Sequence, residues 1–556
     1  RLITQTKNLA RVRLEPMSDA LREQWLANWQ GHFGAAETTR FREFLQVCPD
    51  EIDDTLAREP LLLYLLARLH REEQLTKAMF AGTAAQPSSP ITAKLCIYRE
   101  SVNWVLAKQR QDENLRLAGL EEMDDLREVL QEAALCVVQS GNETARVTML
   151  KNRFQDAANP VKQLLEVAQA TTGQSDDKAL NTLLTTFYLK PKEGERGSVE
   201  FAHKSFGEYL LAERLNRAFE DWTELNKRNR LVLGDSTLYE QIYDLLGYGG
   251  LSVEIVDYLL ELLSESDTDP VQLFERLHGF YQRWHEGEFI NQGPVDDLLQ
   301  QENLPLKKMQ QLRNQGIPIG LKQVDVFAGL NVLILLFKLH AQAQLDSYPQ
   351  IPSNTTIPTI SFHPCGTPDT ESFKADRLLN LIHYADSLGW GTFTRTVGPH
   401  LSRANLSSTT LYRATLKSAN LARANLACAN LARANLALAT LARATLSSAD
   451  LSSATLTRAD LFSADLSSAD LSSVSLYRAI LLNTNLNRAQ NLSLAQLEGT
   501  FPALLCGTTL PTDMAIAPNR DCAQLPQVLA DRYPGTFETV EAAAEYVQQQ
   551  VPSTQE

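Results

Sequence analysis

The chain has 556 residues, 44% apolar and 21% charged, a composition that fits a globular protein and a length that allows about three or four cores. Lys and Arg total 52 against 67 Asp and Glu, for a net charge of −15 and a pI near 5.2, which opposes a nucleic-acid or anionic-membrane footprint for the protein as a whole. No apolar run reaches bilayer length: the nearest, VFAGLNVLILLF from Val326 to Phe337, is about half of what is needed and reads as a buried helix. The cysteines (Cys48, Cys96, Cys136, Cys365, Cys428, Cys506, Cys522) are odd in number and widely spread, and contain no C-x-x-C, so they read as reduced thiols of a cytoplasmic protein.

In chain order, RLITQTKNLARVRLEPMSD has neither the charged nor the apolar region of a signal peptide. ARVRLEPM reads as a strand meeting a helix start at Ser18 and Asp19, as though a sheet lay upstream. Up to Leu345 the chain is mostly amphipathic helix. The spacing i, i+3, i+4 predicts helices at Glu59–Arg71, Lys94–Arg110, Leu126–Gln139 and Glu254–Ser266, with breaks at 81–90 and 171–177. Pro60 stands at a helix N1 position, where its missing N–H costs nothing. In ERGSVEFAHKSFGEYLLAERL a short strand runs into a helix whose Phe206, Tyr209 and Leu210 form a core face, which suggests a winged-helix unit. His203 lies at that helix start, where free N–H groups suit an anion.

EPMSDALREQWLANW, REPLLLYLLARLHR, AALCVVQSG and FAHKSFGEYLLAERL together resemble the part of bacterial NACHT-type (STAND) signal-transduction NTPases that follows the nucleotide-binding core, over about residues 7–340. The resemblance implies the end of a nucleotide-binding domain at 1–15, a helical domain at 16–135, a winged-helix-like domain at 136–217 and a helical domain at 218–345. It also implies that Pro60 contacts adenine and that His203 reaches the β-phosphate of ADP, so both are expected partly exposed and without a strong protein partner. Gly207 stands where that family often has Gln. No G-x-x-x-x-G-K-[ST] occurs, and GYGG at 247–250 lacks the lysine and reads as an interhelix turn. This chain is therefore expected to hold no cofactor and to be no enzyme, with ADP or ATP and Mg bound only where the nucleotide-binding core is present. His363 and Cys365 in FHPCG have no second pair at ligand spacing and imply no metal.

Residues 346–400 open on the Pro-rich YPQIPSNTTIPTISFHPCGTP and read as a linker. From Leu401 to Leu486 a leucine then falls at every fifth position, and alanine stands two before most of them, Thr409, Val474 and Thr484 being departures. Neither 3.6 nor 2 divides five, so no plain helix or strand keeps these leucines on one face. A chain that turns a corner every five residues does, as a square coil with Leu and Ala inside and Asn, Asp, Thr, Ser and Arg outside. The pattern resembles the pentapeptide-repeat family, whose fold is a right-handed quadrilateral β-helix; it would span 401–497, with a cap and tail at 498–556. Its repeats make about four and a half coils, a rod roughly 22 Å tall at strand spacing.

Between Leu401 and Gln490 stand eight Arg and one Lys against four Asp, a net of +5. That sign opposes a DNA-mimic topoisomerase inhibitor, a role some members of this family play. With twenty residues per coil, Arg403, Arg423 and Arg443 should stack on one side and Arg413 and Arg433 on the opposite one. Two readings stay open for these ladders, a solvated face and a partner-binding stripe. The fold class expected is mostly α, with helical bundle and winged helix, followed by the β-helix. The leading function is the regulatory portion of a NACHT-like NTPase whose rod recognises a protein partner, with self-association open and neither membrane nor nucleic acid as partner. The alternative is a free-standing scaffold.

Overall fold

The computed structural model describes residues 16–46, 48, 56–76, 90–111, 123–141, 144–155, 159, 161–163, 166, 189–191, 198–201, 203–291, 303–345, 360–534, 536, 537 and 539–550. They fall into two units, one within 1–217 and 257–266, the other within 218–256 and 267–556. Residues 1–15, and 167–188 of the stretch for which a winged helix was expected, lie outside the described residues.

The first unit is helical with one small sheet. Ser18 caps helix Asp19–Phe33 by accepting from the N–H of Leu21 at 3.4 Å. Pro60 opens helix Pro60–Arg71, which buries Leu62, Leu63, Leu65, Leu66 and Leu69. Helices Pro90–Gln111 and Met123–Gln139 follow. Strands β1 (Ala145–Arg146), β2 (Leu189–Pro191) and β3 (Ser198–Phe201) pair antiparallel in the order β1-β3-β2, with Ala145 opposite Val199 and Lys190 opposite Glu200. Helix Val147–Phe154 follows β1 and helix Lys204–Thr223 follows β3.

One buried carboxylate ties three of these helices together. Glu132 accepts from Arg153 Nε (2.7 Å), Arg214 Nε (2.6 Å) and Asn159 Nδ2 (3.0 Å). Burial by itself raises its pKa, but Arg153 and Arg214 outweigh that and hold the carboxyl at about 2. A charge so deeply buried persists only because its partners are present.

The second unit packs around helix Leu321–Ala343, which at 23 residues is longer than the apolar run alone suggests. It is long and apolar enough to cross a bilayer, yet 83% of its most apolar window is buried inside the protein. Its polar residues find partners there. Asp325 accepts from Tyr243 (2.7 Å), Tyr384 (2.8 Å) and Trp284 (3.1 Å), and Asn331 spans the GYGG turn by donating to Leu246 and Gly249 and accepting from the N–H of Leu251. Gly329 is required by packing, since a Cβ there would lie 1.8 Å from Trp284 Cε2.

The segment read as a linker over 346–400 is folded from Ile360 onward. Tyr281 donates to the carbonyl of Pro364 (2.7 Å), and helices Arg377–Asp386 and Thr392–Thr396 follow. The N–H of Thr410 bonds Ala375 O (2.8 Å) and that of Asn420 bonds Gly398 O (2.9 Å), so this segment caps the open end of the first coil. The prolines mark irregular backbone, and that irregularity belongs to a cap.

Residues 401–490 form the square coil, with parallel bridges twenty residues apart such as Asn405 to Asn425 and Thr410 to Asn430. Every fifth leucine and the alanine two before it are buried. Where threonine replaces alanine its hydroxyl is satisfied inside: Thr409 donates to Leu406 O and Thr484 to Leu461 O, both at 2.7 Å. Two positions explain the rest of the consensus. The residue before each leucine is often Asn or Asp because its Oδ1 accepts the N–H two residues on, as Asn430 does from Ala432 (3.1 Å) and Asp450 from Ser452 (2.9 Å). The residue two after each leucine has positive φ, 62° at Arg403 and 58° at Ser448, and no Val, Ile or Thr occupies it.

The coil does not end where the register slips at Asn491. β4 (Ile480–Leu482) pairs in parallel with β5 (Leu504–Cys506), and Asn485 bridges Thr509, so the chain rejoins the rod one level on. Helices Leu525–Arg532 and Val540–Gln550 then pack on Phe462, Ile480 and Leu482. Cys506 and Cys522 are joined by a disulfide with Cα atoms 4.9 Å apart. The reduced-thiol reading therefore fails for this pair: β5 and the tail turn bring together two cysteines that are 16 apart in sequence without any motif to announce them.

Candidate functional site

Two places carry the residues singled out in the sequence. In the first unit Pro60 is exposed at the start of its helix and His203 is partly exposed just before the Lys204–Thr223 helix. The structure brings their segments together: His203 Nε2 lies 2.7 Å from Glu59 Oε2, and His203 Nδ1 accepts from the N–H of Ser205 at 3.2 Å. With Nδ1 accepting, Nε2 carries the proton and donates to the carboxylate. The expectation of a histidine without a strong protein partner is thus corrected. The partner is the residue immediately before Pro60, which the sequence reading passed over because a lone glutamate on a helix edge carries no local signal. Gly207 faces the ring of Phe201, where a Cβ would approach Cδ2 to 3.0 Å.

The second place is the rod. Each arginine sits at the positive-φ corner of its turn, so its side chain leaves the coil outward. The N–H of Arg403 bonds Ala422 O (2.9 Å), that of Arg423 bonds Ala442 O (2.8 Å), and that of Arg413 bonds Ala432 O (3.0 Å), which puts Arg403, Arg423 and Arg443 in one column and Arg413 and Arg433 in the column two corners away. Burial, and then the guanidinium of Arg423, lower the pKa of Arg403. The columns are not equivalent along their length. Arg443 lies over the ring of Phe462 (5.4 Å), beside the tail helices, and Arg413 lies over Tyr412 (5.2 Å). Charge is also segregated along the rod: residues 401–449 hold five Arg and one Lys and no Asp or Glu, whereas 450–490 hold four Asp against three Arg. His363 and Cys365 are buried in the cap, where His363 Nε2 meets Ser407 O at 2.9 Å and its Nδ1 accepts from the N–H of Cys365. Among the described residues no group of three or more His, Cys, Asp or Glu could hold a metal.

The family model for pentapeptide repeats matches residues 400–436, 424–461 and 464–501. Solved structures similar to the rod include a pentapeptide-repeat protein (Rfr23) of the cyanobacterium Cyanothece 51142, at 31% identity over 18% of this chain and 61% of that protein, with a TM-score of 0.14. Another is a pentapeptide-repeat protein of the Arabidopsis thaliana thylakoid lumen, at 27% identity over 23% of this chain and 74% of that one, with a TM-score of 0.12. A third is HetL, a pentapeptide-repeat protein involved in heterocyst differentiation regulation in Nostoc sp. strain PCC 7120, at 31% identity over 20% of this chain and 53% of that one, with a TM-score of 0.10. The chain thus spans about three fifths of the length of the first of these. None of the curated proteins shows a significant similarity to the chain. With the coil geometry, the family match makes residues 400–501 a pentapeptide-repeat domain, a right-handed β-helix of a type known as a protein-interaction scaffold, preceded by a helical region.

Proposed function

We propose that the chain is an interaction scaffold whose rod receives an acidic protein partner on its first half. The observation that carries this is the charge segregation: residues 401–449 project five arginines from fixed turn corners with no carboxylate among them, in a chain whose net charge is −15. A basic patch on an acidic protein steers an acidic surface toward it and repels other basic ones. A DNA mimic would need the opposite sign. The test is affinity capture by the wild-type chain and by Arg413→Ser/Arg423→Ser/Arg433→Ser. Serine already occupies this corner at 408, 418, 448 and 453, so the coil tolerates it. A partner captured by both proteins equally removes the reading.

A second reading is favoured by the Glu59–His203 contact, which joins the two segments whose resemblance to NACHT-type NTPases marks Pro60 and His203. On it the helical part, with a winged helix at 136–217, regulates a nucleotide-binding core. The residues present do not fit ADP by themselves, because the imidazole donates to a carboxylate and the sequence has no phosphate loop to bring anion-binding N–H groups and a lysine. The chain is then no ATPase, and calorimetry with Mg-ATP and with Mg-ADP should show no binding. Saturable micromolar binding of either would overturn that statement.

A further inference from the structure

At the lower part of the rod a cavity of about 490 Å³ opens between the coil and the tail, and it is lined by three arginines, Arg458, Arg478 and Arg532. Arg458 and Arg478 stand at the same corner of successive coils, with the N–H of Arg458 on Tyr477 O at 2.7 Å. Arg532 comes from the tail helix and donates to the carbonyl of Arg458. Among the described residues none of the three guanidiniums forms an ion pair. The one carboxylate in the lining, Asp531, is exposed and accepts from Gln527 at 2.8 Å. Like charges converging on one cavity repel unless an anion lies between them.

The floor is apolar. Phe501, Pro502, Leu504 and Val528 line it, and the guanidinium of Arg478 lies 4.3 Å from the Phe501 ring centroid, which fixes that side chain over an aromatic surface. A cavity of this size with an apolar floor and a few converging charges is what a small organic ligand requires. Guanidinium forks match phosphate geometry with paired hydrogen bonds. We infer that this cavity is a binding site for a small organic phosphate, a phosphate monoester on a flat apolar group, held by Arg458, Arg478 and Arg532 with its apolar body on Phe501 and Val528.

Phenyl phosphate is the probe, titrated calorimetrically into the full chain at low salt with inorganic phosphate in a parallel arm. Phenyl phosphate should bind saturably and about tenfold or more tighter than inorganic phosphate, because only the ester uses the floor. The double variant Arg458→Ser/Arg478→Ser should lose at least about tenfold in affinity with an unchanged circular dichroism spectrum, since Ser453, Ser463, Ser468 and Ser473 hold the same corner conformation. Arg532→Gln, from the tail helix and outside the coil, should weaken binding in the same direction, whereas Lys227→Gln, an exposed charge outside the rod, should leave it unchanged. Equal affinity for phenyl phosphate and inorganic phosphate, no saturable binding, or full affinity in both the double variant and Arg532→Gln would each overturn the assignment.

Discussion

Leu436→Asp, placed at the middle of the rod, tests whether the five-residue register determines what is inside. Leu436 is fully buried, while Leu438, two residues on, is 38% exposed at a corner with φ of 61°. Removing the leucine forfeits about 2 to 3 kcal/mol of burial, and a carboxyl group with no partner in a Leu and Ala core adds several more, so the total is at least about 5 kcal/mol. Whole domains are stable by only about 5 to 15 kcal/mol. A coil touches only its neighbours above and below, so the damage should be local in sequence. Hydrogen exchange read by mass spectrometry should show lost protection across residues 416–456, whose amides include Leu416 bonded to Asn435 O and Leu436 bonded to Thr455 O. The helix Pro60–Arg71 in the other unit should be unaffected. Leu438→Asp should be nearly silent, because aspartate accepts positive φ more readily than leucine does. Equal damage from both substitutions, or none from Leu436→Asp, would refute the square-coil register.

Glu132→Gln leaves buried Arg153 and half-buried Arg214 without their countercharge and should cost about 3 to 5 kcal/mol in chemical denaturation. Since the folded pKa of Glu132 is about 2 against an ordinary 4.5, its contribution is complete above pH 4.5 and should fade as pH falls toward 2, and the acid limb of the wild-type stability profile should show this. His400, buried in the rod cap, is held at about 4 chiefly by burial and then by Lys338, so the unfolded chain takes the proton first. Its contribution is complete above pH 6.5 and is lost as pH falls toward 4, and His400→Gln should flatten that part of the melting-temperature profile. Cys506→Ala/Cys522→Ala opens a loop of 16 residues and should lower the stability of the tail by about 3 kcal/mol, seen as faster exchange in the Leu525–Arg532 helix.

What could be read from the sequence depended on how local the cause was. The rod was legible to single residues because each pentapeptide repeats the same contact, with Leu and Ala inside, whereas the Asn or Asp bonding two residues on and the corner free of β-branched residues emerged only from the structure. The helices at 60–71, 123–139 and 253–265 were legible from their apolar spacing, to within a few residues at each end. The cap at 360–400 was not, since prolines and short turns look alike in a linker and in a segment whose bonds go to a distant coil. The Cys506–Cys522 bond and the return of β5 to the rod depend on pairings across an insertion at 491–503 that breaks the period. At the first-unit site, Pro60 and His203 were flagged by pattern, but Glu59 became visible only once two elements 144 residues apart met. The cleft arginines were counted in the rod total, yet their convergence with Arg532 comes from the tail helix and leaves no mark in the repeat.

The central claim is that the first half of the rod is a basic docking surface for an acidic protein. Its most direct measurement is the equilibrium affinity of the captured partner for the wild-type chain and for Arg413→Ser/Arg423→Ser/Arg433→Ser, each at about 50 and 200 mM salt. The account predicts that the variant binds at least about tenfold more weakly and that its salt dependence is shallower than the wild type's. The same affinity and the same salt dependence in both proteins would contradict it.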